Sequence, residues 1–207
     1  MTAPDSDSFL DDFLSRVAAR LPETTQHQTG DHRLNSVEID PAHMVNAKAA
    51  AVLIPVIATR EPSVILTQRA RHLRSHSGQI AFPGGRMEPG ETAPAAAMRE
   101  TFEEIGLAPQ HIRQIGALKP YLSGTGYLIH PVIGLVIPDL PLIPNPDEVS
   151  ETFEVPLSFV MNETNHKIES RVWNGQTRYF YAIPYQERYI WGVTAGILRA
   201  LYEGLYR

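Results

Sequence analysis

Apolar residues recur at helical spacing near the start of the chain. Between about residue 6 and residue 21 they fall on one stripe with a period near 3.6 residues: Phe9, Leu10, Phe13, Leu14, Val17 and Leu21. This spacing predicts an amphipathic docking helix. Residues 22–35 are polar and contain Gly30, which is typical of an exposed connection. We therefore expect residues 1–35 to form an N-terminal helix and linker, and residues 36–207 to form the main domain.

Farther along the chain, the pattern changes to short apolar runs of strand length. They lie at about residues 49–57, 63–68, 112–118, 127–137, 167–173 and 177–183. One strong helix is predicted over residues 93–105 and ends at Gly106, and another over residues 191–206. Strands outnumber helices and do not alternate regularly with them. This order favours a mixed α/β sandwich over a doubly wound parallel sheet.

Composition excludes several classes of protein. The chain has 207 residues, of which 43% are hydrophobic and 20% charged, as in a soluble globular domain. It contains no cysteine, so thiolate nucleophiles and cysteine-bound metals are impossible. The net charge of -5 argues against broad binding to nucleic acid. The longest apolar run, residues 49–58, is too short for a membrane span of about 20 residues. The acidic N-terminus fits neither a secretory signal nor a transit peptide, so we expect a cytoplasmic protein.

The helix predicted over residues 93–105 carries three glutamates. Glu100, Glu103 and Glu104 fall within an arc of about 100° on one face. Like charges so placed destabilise a bare helix, so they indicate a compensating cation. Carboxylate oxygens suit Mg²⁺ or Mn²⁺, and the chemistry indicated is metal-assisted attack of water on phosphorus. The alternative is a solvated acidic face. The buried side is expected to be the opposite face: Ala95, Met98, Phe102 and Ile105.

The spacing around these glutamates resembles the box of the Nudix hydrolases. Its fixed positions are separated by five, seven, none, two, none and one residues: Gly85, Glu91, Arg99, Glu100, Glu103, Glu104 and Gly106. Thr101 departs from the pattern, because an aliphatic residue is usual there. The resemblance implies an α/β/α sandwich of Nudix type with a mixed sheet, here with an N-terminal helical extension. It also implies that the three glutamates are catalytic and bind Mg²⁺ or Mn²⁺, and that Glu91 pairs with Arg99 to brace the loop.

A second motif lies immediately upstream. Ile65-Leu66-Thr67-Gln68-Arg69-Ala70 is followed at fixed spacing by Arg74, Gly78 and Phe82-Pro83-Gly84-Gly85. This stretch is similar to the signature of the coenzyme A pyrophosphatase branch of the Nudix family, and Ile65 in place of leucine is the one departure. The resemblance implies hydrolysis of the diphosphate of coenzyme A, and of acyl-coenzyme A, to 3′,5′-ADP and 4′-phosphopantetheine.

The charge of the upstream motif supports a small anionic substrate. Arg69, Arg71 and Arg74 concentrate positive charge within six positions of an acidic protein, and guanidinium groups suit phosphate. We expect substrate binding by these residues of the two motifs: Arg69, Arg74, Gly84 and Gly85. The glycines are expected to serve by a left-handed backbone or by close approach of a phosphate.

Two acids outside the box are candidates for the general base. Glu148 and Glu151 follow a proline-rich turn. Because some Nudix enzymes use a glutamate outside the box as base, either residue suits that role. The alternative for both is an ordinary surface acid at the start of a strand.

Two other functions stay open at this point. One is a Nudix hydrolase of another nucleoside diphosphate derivative, such as NADH, ADP-ribose or a dinucleoside polyphosphate. The other is a Nudix-like module that senses a nucleotide without cleaving it, although a sensor has no need of all three acids. The sequence also leaves open the oligomeric state, for which a homodimer is one option, and whether the N-terminal helix packs on its own domain.

Overall fold

The computed structural model describes residues 6–21, 29–35, 46–73, 75–173 and 175–207. Over these residues the chain forms four α-helices: α1 (Ser6–Arg20), α2 (Ala93–Ile105), α3 (Leu157–Val160) and α4 (Val193–Tyr206). It also forms twelve strands: β1 (Thr29–Gly30), β2 (Lys48–Ile57), β3 (Ser63–Arg69), β4 (Ile80–Ala81), β5 (Gly84–Arg86), β6 (Ile112–Ala117), β7 (Tyr121–Leu122), β8 (Tyr127–Val136), β9 (Val149–Pro156), β10 (Lys167–Trp173), β11 (Gln176–Tyr185) and β12 (Arg188–Trp191). The mixed α/β class predicted from the sequence is confirmed.

A nine-stranded mixed sheet lies at the centre of the molecule. β2 pairs in parallel with β8 over ten positions, and on its other side it pairs antiparallel with β3 and β5. Side chains alternate between the two faces of a strand, so Ala51 and Leu53 of β2 face α2, whereas Ala50 and Ile54 face a core that contains α1 and α4. Helices therefore cover both faces of the sheet, as the α/β/α sandwich prediction requires.

A smaller antiparallel sheet is formed by β10, β11 and β12 in that order. Its inner end is buried at Ala182, Ile183 and Ile190. The β10–β11 hairpin extends beyond the core, and along its length it carries large exposed apolar side chains: Ile168, Val172, Trp173 and Tyr179.

Helix α1 packs on its own domain. Phe13 and Val17 are buried in the same core as α4. The Arg16 guanidinium carbon lies 4.5 Å from the centroid of the Tyr206 ring, and its NH1 group donates a hydrogen bond to the Leu205 carbonyl oxygen at 3.3 Å. The predicted boundary between residues 35 and 36 falls at the edge of the described residues and stays a prediction. None of the helices in the described ranges is long and apolar enough to cross a membrane.

The buried face predicted for α2 is wrong at two positions. Ala95 is exposed, and Phe102 has 53% of its surface exposed. The face turned toward the sheet carries these residues instead: Ala96, Ala97, Thr101, Glu104 and Ile105. Because the alanines are small, the helix lies close to the sheet, and Glu104 on the same face is buried.

Candidate active site

The ends of α2 are set by local sequence. The Thr92 hydroxyl oxygen accepts a hydrogen bond from the Ala95 N–H at 3.4 Å, and Pro94 lies in the first turn, where its missing N–H costs nothing. At the other end Gly106 has a left-handed backbone (φ 71°) and its N–H donates to the Phe102 carbonyl at 2.9 Å. The predicted end of the helix is confirmed. The three glutamates consequently occupy its last two turns.

The Gly84–Gly85 pair lies directly against two of these glutamates. The Gly84 N–H donates a hydrogen bond to Glu104 Oε2 at 3.1 Å. A β-carbon at Gly85 would overlap the Glu100 carboxylate, and one at Gly84 would overlap the Ala51 carbonyl oxygen. At Gly84 the overlap is with backbone and the φ is 153°, so glycine is required there; at Gly85 a side chain would displace the Glu100 carboxylate from its present position.

Arg99 holds the loop and the helix together. It donates five hydrogen bonds: Nε to Glu91 at 2.9 Å, NH2 to Glu91 at 3.0 Å and to the Arg86 carbonyl oxygen at 3.0 Å, NH1 to Glu100 at 2.9 Å and to Glu103 at 3.2 Å. All five guanidinium N–H donors are used. The hydrogen bonds from Arg99 lower the pKa of Glu91 below its usual value.

The three glutamates differ in exposure. The Glu104 side chain is 4% exposed and that of Glu100 17%, whereas that of Glu103 is 52% exposed. Within the described part of the chain, no three histidine, aspartate or glutamate residues are gathered closely enough to form a ready metal-binding group. Arg99 instead lies between Glu100 and Glu103 as an internal cation. The structure thus brings the acids to one end of the helix without drawing them into a single cluster.

The electrostatics of the buried acids favour a cation. Burial raises the pKa of Glu104 to about 7, and the charges of Glu148 and Glu100 add to this rise. Burial is also the main cause of the raised pKa of Glu100, to which the charges of Glu103 and Glu148 contribute. Carboxylates that repel one another in a poorly solvated place form a donor set of the chemistry that hard divalent cations prefer. The residues present therefore fit such a metal in the chemistry of their donor atoms, whereas in their present spacing Arg99 lies between two of them.

The raised pKa of Glu104 predicts how the stability of the metal-free protein depends on pH. The folded state holds this proton more tightly than the unfolded state, so the free energy of unfolding should fall as pH rises from 4.5 through about 7. At about 1.4 kcal/mol per pKa unit, the expected loss is roughly 3 kcal/mol. Urea unfolding at several pH values in the presence of a chelator measures it. In Glu104→Gln this part of the pH dependence should vanish, and an unchanged slope in that variant would contradict the assignment.

Arg69 lies at the end of β3, beside Glu104. The β3–β9 register shifts between Gln68 and Arg69, a local irregularity of the kind that re-aims side chains near active sites. Arg69 NH1 is 3.8 Å from Glu104 Oε1, and the buried Arg69 Nε has no hydrogen-bond partner within the described ranges of the chain. Arg71 is exposed. Arg74, the other arginine predicted to bind substrate, lies outside the described residues.

The two candidate bases lie in different surroundings. Glu148 is anchored to the site because its carbonyl oxygen accepts a hydrogen bond from the Ala70 N–H at 2.9 Å, and its charge acts on Glu100 and Glu104. Glu151 forms a two-point salt bridge with Arg188, at 2.7 and 3.1 Å, which lowers its pKa. Of the two, only Glu148 interacts with the acids of α2.

Asn145 is a supporting residue to which the sequence reasoning assigned no role. Its N–H donates to the Glu104 carbonyl oxygen at 2.8 Å, and its carbonyl oxygen accepts from the N–H groups of Glu148 and Val149. It therefore fixes the turn that carries Glu148 to the end of α2. The available signal was the proline-rich stretch of residues 138–146, which ends beside it.

Arg86 is a second residue of the site that the sequence motifs do not single out. Its guanidinium donates to the Tyr127 hydroxyl, with NH2 at 2.9 Å, and its guanidinium carbon lies 5.7 Å from the centroid of that ring. Lys48 Nζ is 5.9 Å from the same centroid. Among the described residues, neither cation has a salt bridge. No sequence pattern predicts this pair, because Lys48 and Arg86 are 38 positions apart. They lie near each other only because β2 pairs with β5 and β8.

Comparison with known proteins agrees with this geometry. The family model described as NUDIX domain matches residues 47–173. The Nudix hydrolase NudL of Escherichia coli strain K12, itself uncharacterised, is 39% identical over 193 residues, which cover 93% of this chain and 92% of the relative. NudL of Shigella boydii serotype 4 has the same identity and coverage. Among solved structures, DR0079 from Deinococcus radiodurans is similar in fold, with a TM-score of 0.51 at 14% identity, over 83% of this chain and 90% of that chain.

Proposed function

Since this chain belongs to the Nudix family and is a pyrophosphatase of the hydrolase class, we propose that its substrate is coenzyme A. The products would be 3′,5′-ADP and 4′-phosphopantetheine, and acyl-coenzyme A would be accepted as well. The observation that carries the proposal is the position of Arg69. Arg69 belongs to the upstream motif, whose resemblance indicates coenzyme A. Its guanidinium lies 3.8 Å from Glu104 of the Nudix box.

Arg69 is suited to a phosphate of the substrate. Its side chain is 28% exposed, its NH1 group approaches Glu104 too loosely for a hydrogen bond, and its Nε lacks any partner among the described residues. A buried donor without an acceptor costs free energy, and a substrate oxygen would supply the acceptor. The diphosphate therefore has a binding group beside the catalytic acids.

The acids of α2 have a distinct task in this proposal. Nudix hydrolases use divalent metal ions, and we expect Mg²⁺ or Mn²⁺ to be held by Glu100, Glu103 and Glu104. When bound, such an ion would supply positive charge that offsets the negative charge of the diphosphate. The Gly84 N–H aims the Glu104 carboxylate, and Arg99 aims the carboxylates of its two neighbours in the box.

Glu148 is proposed as the general base. The oxygen of water forms a bond to phosphorus, the bridging P–O bond breaks, and Glu148 accepts the proton that the water loses. Its anchored backbone and its position near the α2 acids support this role.

Lys48 and Arg86 are proposed to bind the additional 3′-phosphate of coenzyme A. Both cations face Tyr127, and neither has an acidic partner among the described residues. The Arg86 carbonyl oxygen accepts from Arg99, so this positive region adjoins the site. A phosphate there would relieve the repulsion between the two cations.

Coenzyme A is expected to be cleaved with a kcat/KM at least about tenfold above that for 3′-dephospho-coenzyme A, because a phosphate bound by guanidinium adds roughly 1.5–3 kcal/mol. With Mg²⁺ or Mn²⁺ present, the measurement is release of 3′,5′-ADP from coenzyme A and of 5′-AMP from 3′-dephospho-coenzyme A, beside the nucleotide products of NADH, ADP-ribose and a diadenosine polyphosphate. Arg86→Gln should reduce the preference without abolishing turnover of the dephosphorylated substrate. Glu104→Gln protein from the same purification controls for contaminating phosphatases.

Each other outcome has a definite meaning. Preferred cleavage of NADH, ADP-ribose or a dinucleoside polyphosphate would overturn coenzyme A as the substrate and leave the metal-dependent hydrolase standing. Binding without cleavage of any of these compounds would favour a nucleotide sensor. A preference for coenzyme A that Arg86→Gln leaves unchanged would place the 3′-phosphate elsewhere.

A further inference from the structure

Strand β10 is an edge of the smaller sheet. Among the residues that the structure describes it pairs with β11 alone, in the register Lys167↔Ala182 to Trp173↔Gln176. Six of its seven residues are exposed, including Ile168, Val172 and Trp173. Unpaired edges of this length and apolar content favour pairing with another strand.

The contacts of β11 show which N–H and C=O groups of β10 point away from the hairpin. Asn35 Nδ2 donates to the Tyr179 carbonyl oxygen at 3.0 Å, and the Tyr179 N–H donates to Asn35 Oδ1 at 2.8 Å. The backbone of Tyr179 therefore points away from β10. Residues directly opposite in an antiparallel pair either bond to each other or both turn outward. Ser170, opposite Tyr179, thus turns its N–H and C=O outward, and Ile168 and Val172 do the same by the two-residue period.

The side chains of β10 are self-complementary about Ser170. If a second β10 runs antiparallel with Ser170 opposite Ser170, then Glu169 meets Arg171 of the other copy, and the reverse pair forms by symmetry. Ile168 meets Val172, and Lys167 meets the Trp173 ring, twice each. Opposite charges, apolar pairs and a cation over an aromatic ring are the cross-strand pairs that stabilise sheets. The same register places three outward N–H groups and three outward C=O groups of each strand in bonding positions.

The isolated protomer carries a repulsion that this pairing would relieve. Arg171 lies directly opposite Arg178 in the β10–β11 register, and like charges so placed are destabilising. Within the described residues, neither arginine has a salt bridge. Glu169 of a second copy would supply the missing negative charge beside Arg171.

We propose that β10 pairs antiparallel with β10 of a second copy of this chain, about a twofold axis at Ser170. The two three-stranded sheets then form one continuous six-stranded sheet across a homodimer. The contact is isologous, so it closes at two copies and does not continue into a filament. The hairpin's other edge is already covered by Asn35, which leaves β10 as the edge available for this contact.

Charge reversal tests the register of this dimer. A contact of one strand pair is small, so we expect a dissociation constant of about 1–100 μM, measured by sedimentation equilibrium of the full chain. Arg171→Glu places two glutamates opposite each other and should weaken the dimer at least about tenfold. The fold is protected because the new glutamate faces Arg178. Glu169→Arg combined with Arg171→Glu restores opposite charges and should recover the wild-type constant. The matched control is Arg113→Glu, an exposed arginine on β6.

A second measurement follows the backbone independently of charge. Amide exchange at Ile168, Ser170 and Val172 should slow as protein concentration rises through the dissociation constant, while the amides of Asn35 and Arg113 stay unchanged. A monomer throughout that concentration range would overturn the proposal. So would a dimer that Arg171→Glu leaves intact, or a double variant that stays monomeric. Loss of the dimer in Arg113→Glu would move the contact to another surface.

Discussion

Glu104→Gln is expected to lower kcat at least about a thousandfold, equivalent to about 4 kcal/mol of transition-state stabilisation. The substitution keeps the volume of the side chain and an oxygen that accepts from the Gly84 N–H, which now binds Glu104 Oε2. It removes the negative charge that would hold a metal ion at the buried end of α2. Steady-state release of 3′,5′-ADP from coenzyme A measures the loss.

The matched control for this variant is Glu187→Gln, which makes the same chemical change at an exposed residue. It should turn over like the wild type. Because the raised pKa of Glu104 reflects the cost of burying its charge, metal-free Glu104→Gln should be at least as stable as the wild type above pH 7. A folded Glu104→Gln enzyme with near-normal kcat would rule out a catalytic role for this carboxylate.

Glu148→Gln is expected to lower kcat about a hundredfold or more, because a positioned general base contributes roughly that factor. Glu151→Gln should stay within about threefold of the wild type. The two residues lie on one segment, three positions apart, but Glu151 is held by Arg188, whose guanidinium carbon stacks 3.8 Å from the centroid of the Phe153 ring. The pair of variants thus compares one chemical change in two surroundings.

The relative turnover of the two variants decides the assignment of the base. A large loss in Glu151→Gln with a normal Glu148→Gln would reverse the assignment. Normal turnover in both would show that neither glutamate is the base.

The sequence predicted the elements whose signals are local. The α1 stripe, the span of α2 and the end of that helix at Gly106 depend on periodicity and capping within a few residues, and the structure has all three. The last helix begins two residues later than predicted, at Val193, because Gly192 has a left-handed backbone (φ 62°). The NUDIX match confirms the family, which rested on the spacing of fixed positions within one turn and one helix.

Features that depend on contacts between residues far apart in the sequence were not predicted. Hydrophobic periodicity placed Phe102 inside and left the acids outside, but the Gly84 N–H, twenty positions upstream, compensates a buried Glu104. The glycine-rich β5 has too few apolar residues to be read as a strand, although it pairs with β2 at three positions. Likewise, Glu148 and Glu151 have similar sequence surroundings, but distant residues distinguish them: Ala70 binds the backbone of Glu148, and Arg188 binds the carboxylate of Glu151.

The packing of α1 against α4 has a consequence for synthesis on the ribosome. Phe13 and Val17 are buried in a core that includes Leu198 and Leu201, which are translated more than 180 residues later. At a translation rate of about 5–20 residues per second, the apolar side of α1 stays without this packing partner for roughly ten seconds or more. During this interval the helix is a target for chaperones or for its own aggregation. A circular permutant that joins the two ends of the chain and begins after α1 makes α1 directly after α4; it should shorten the delay and increase the soluble fraction in rapid expression.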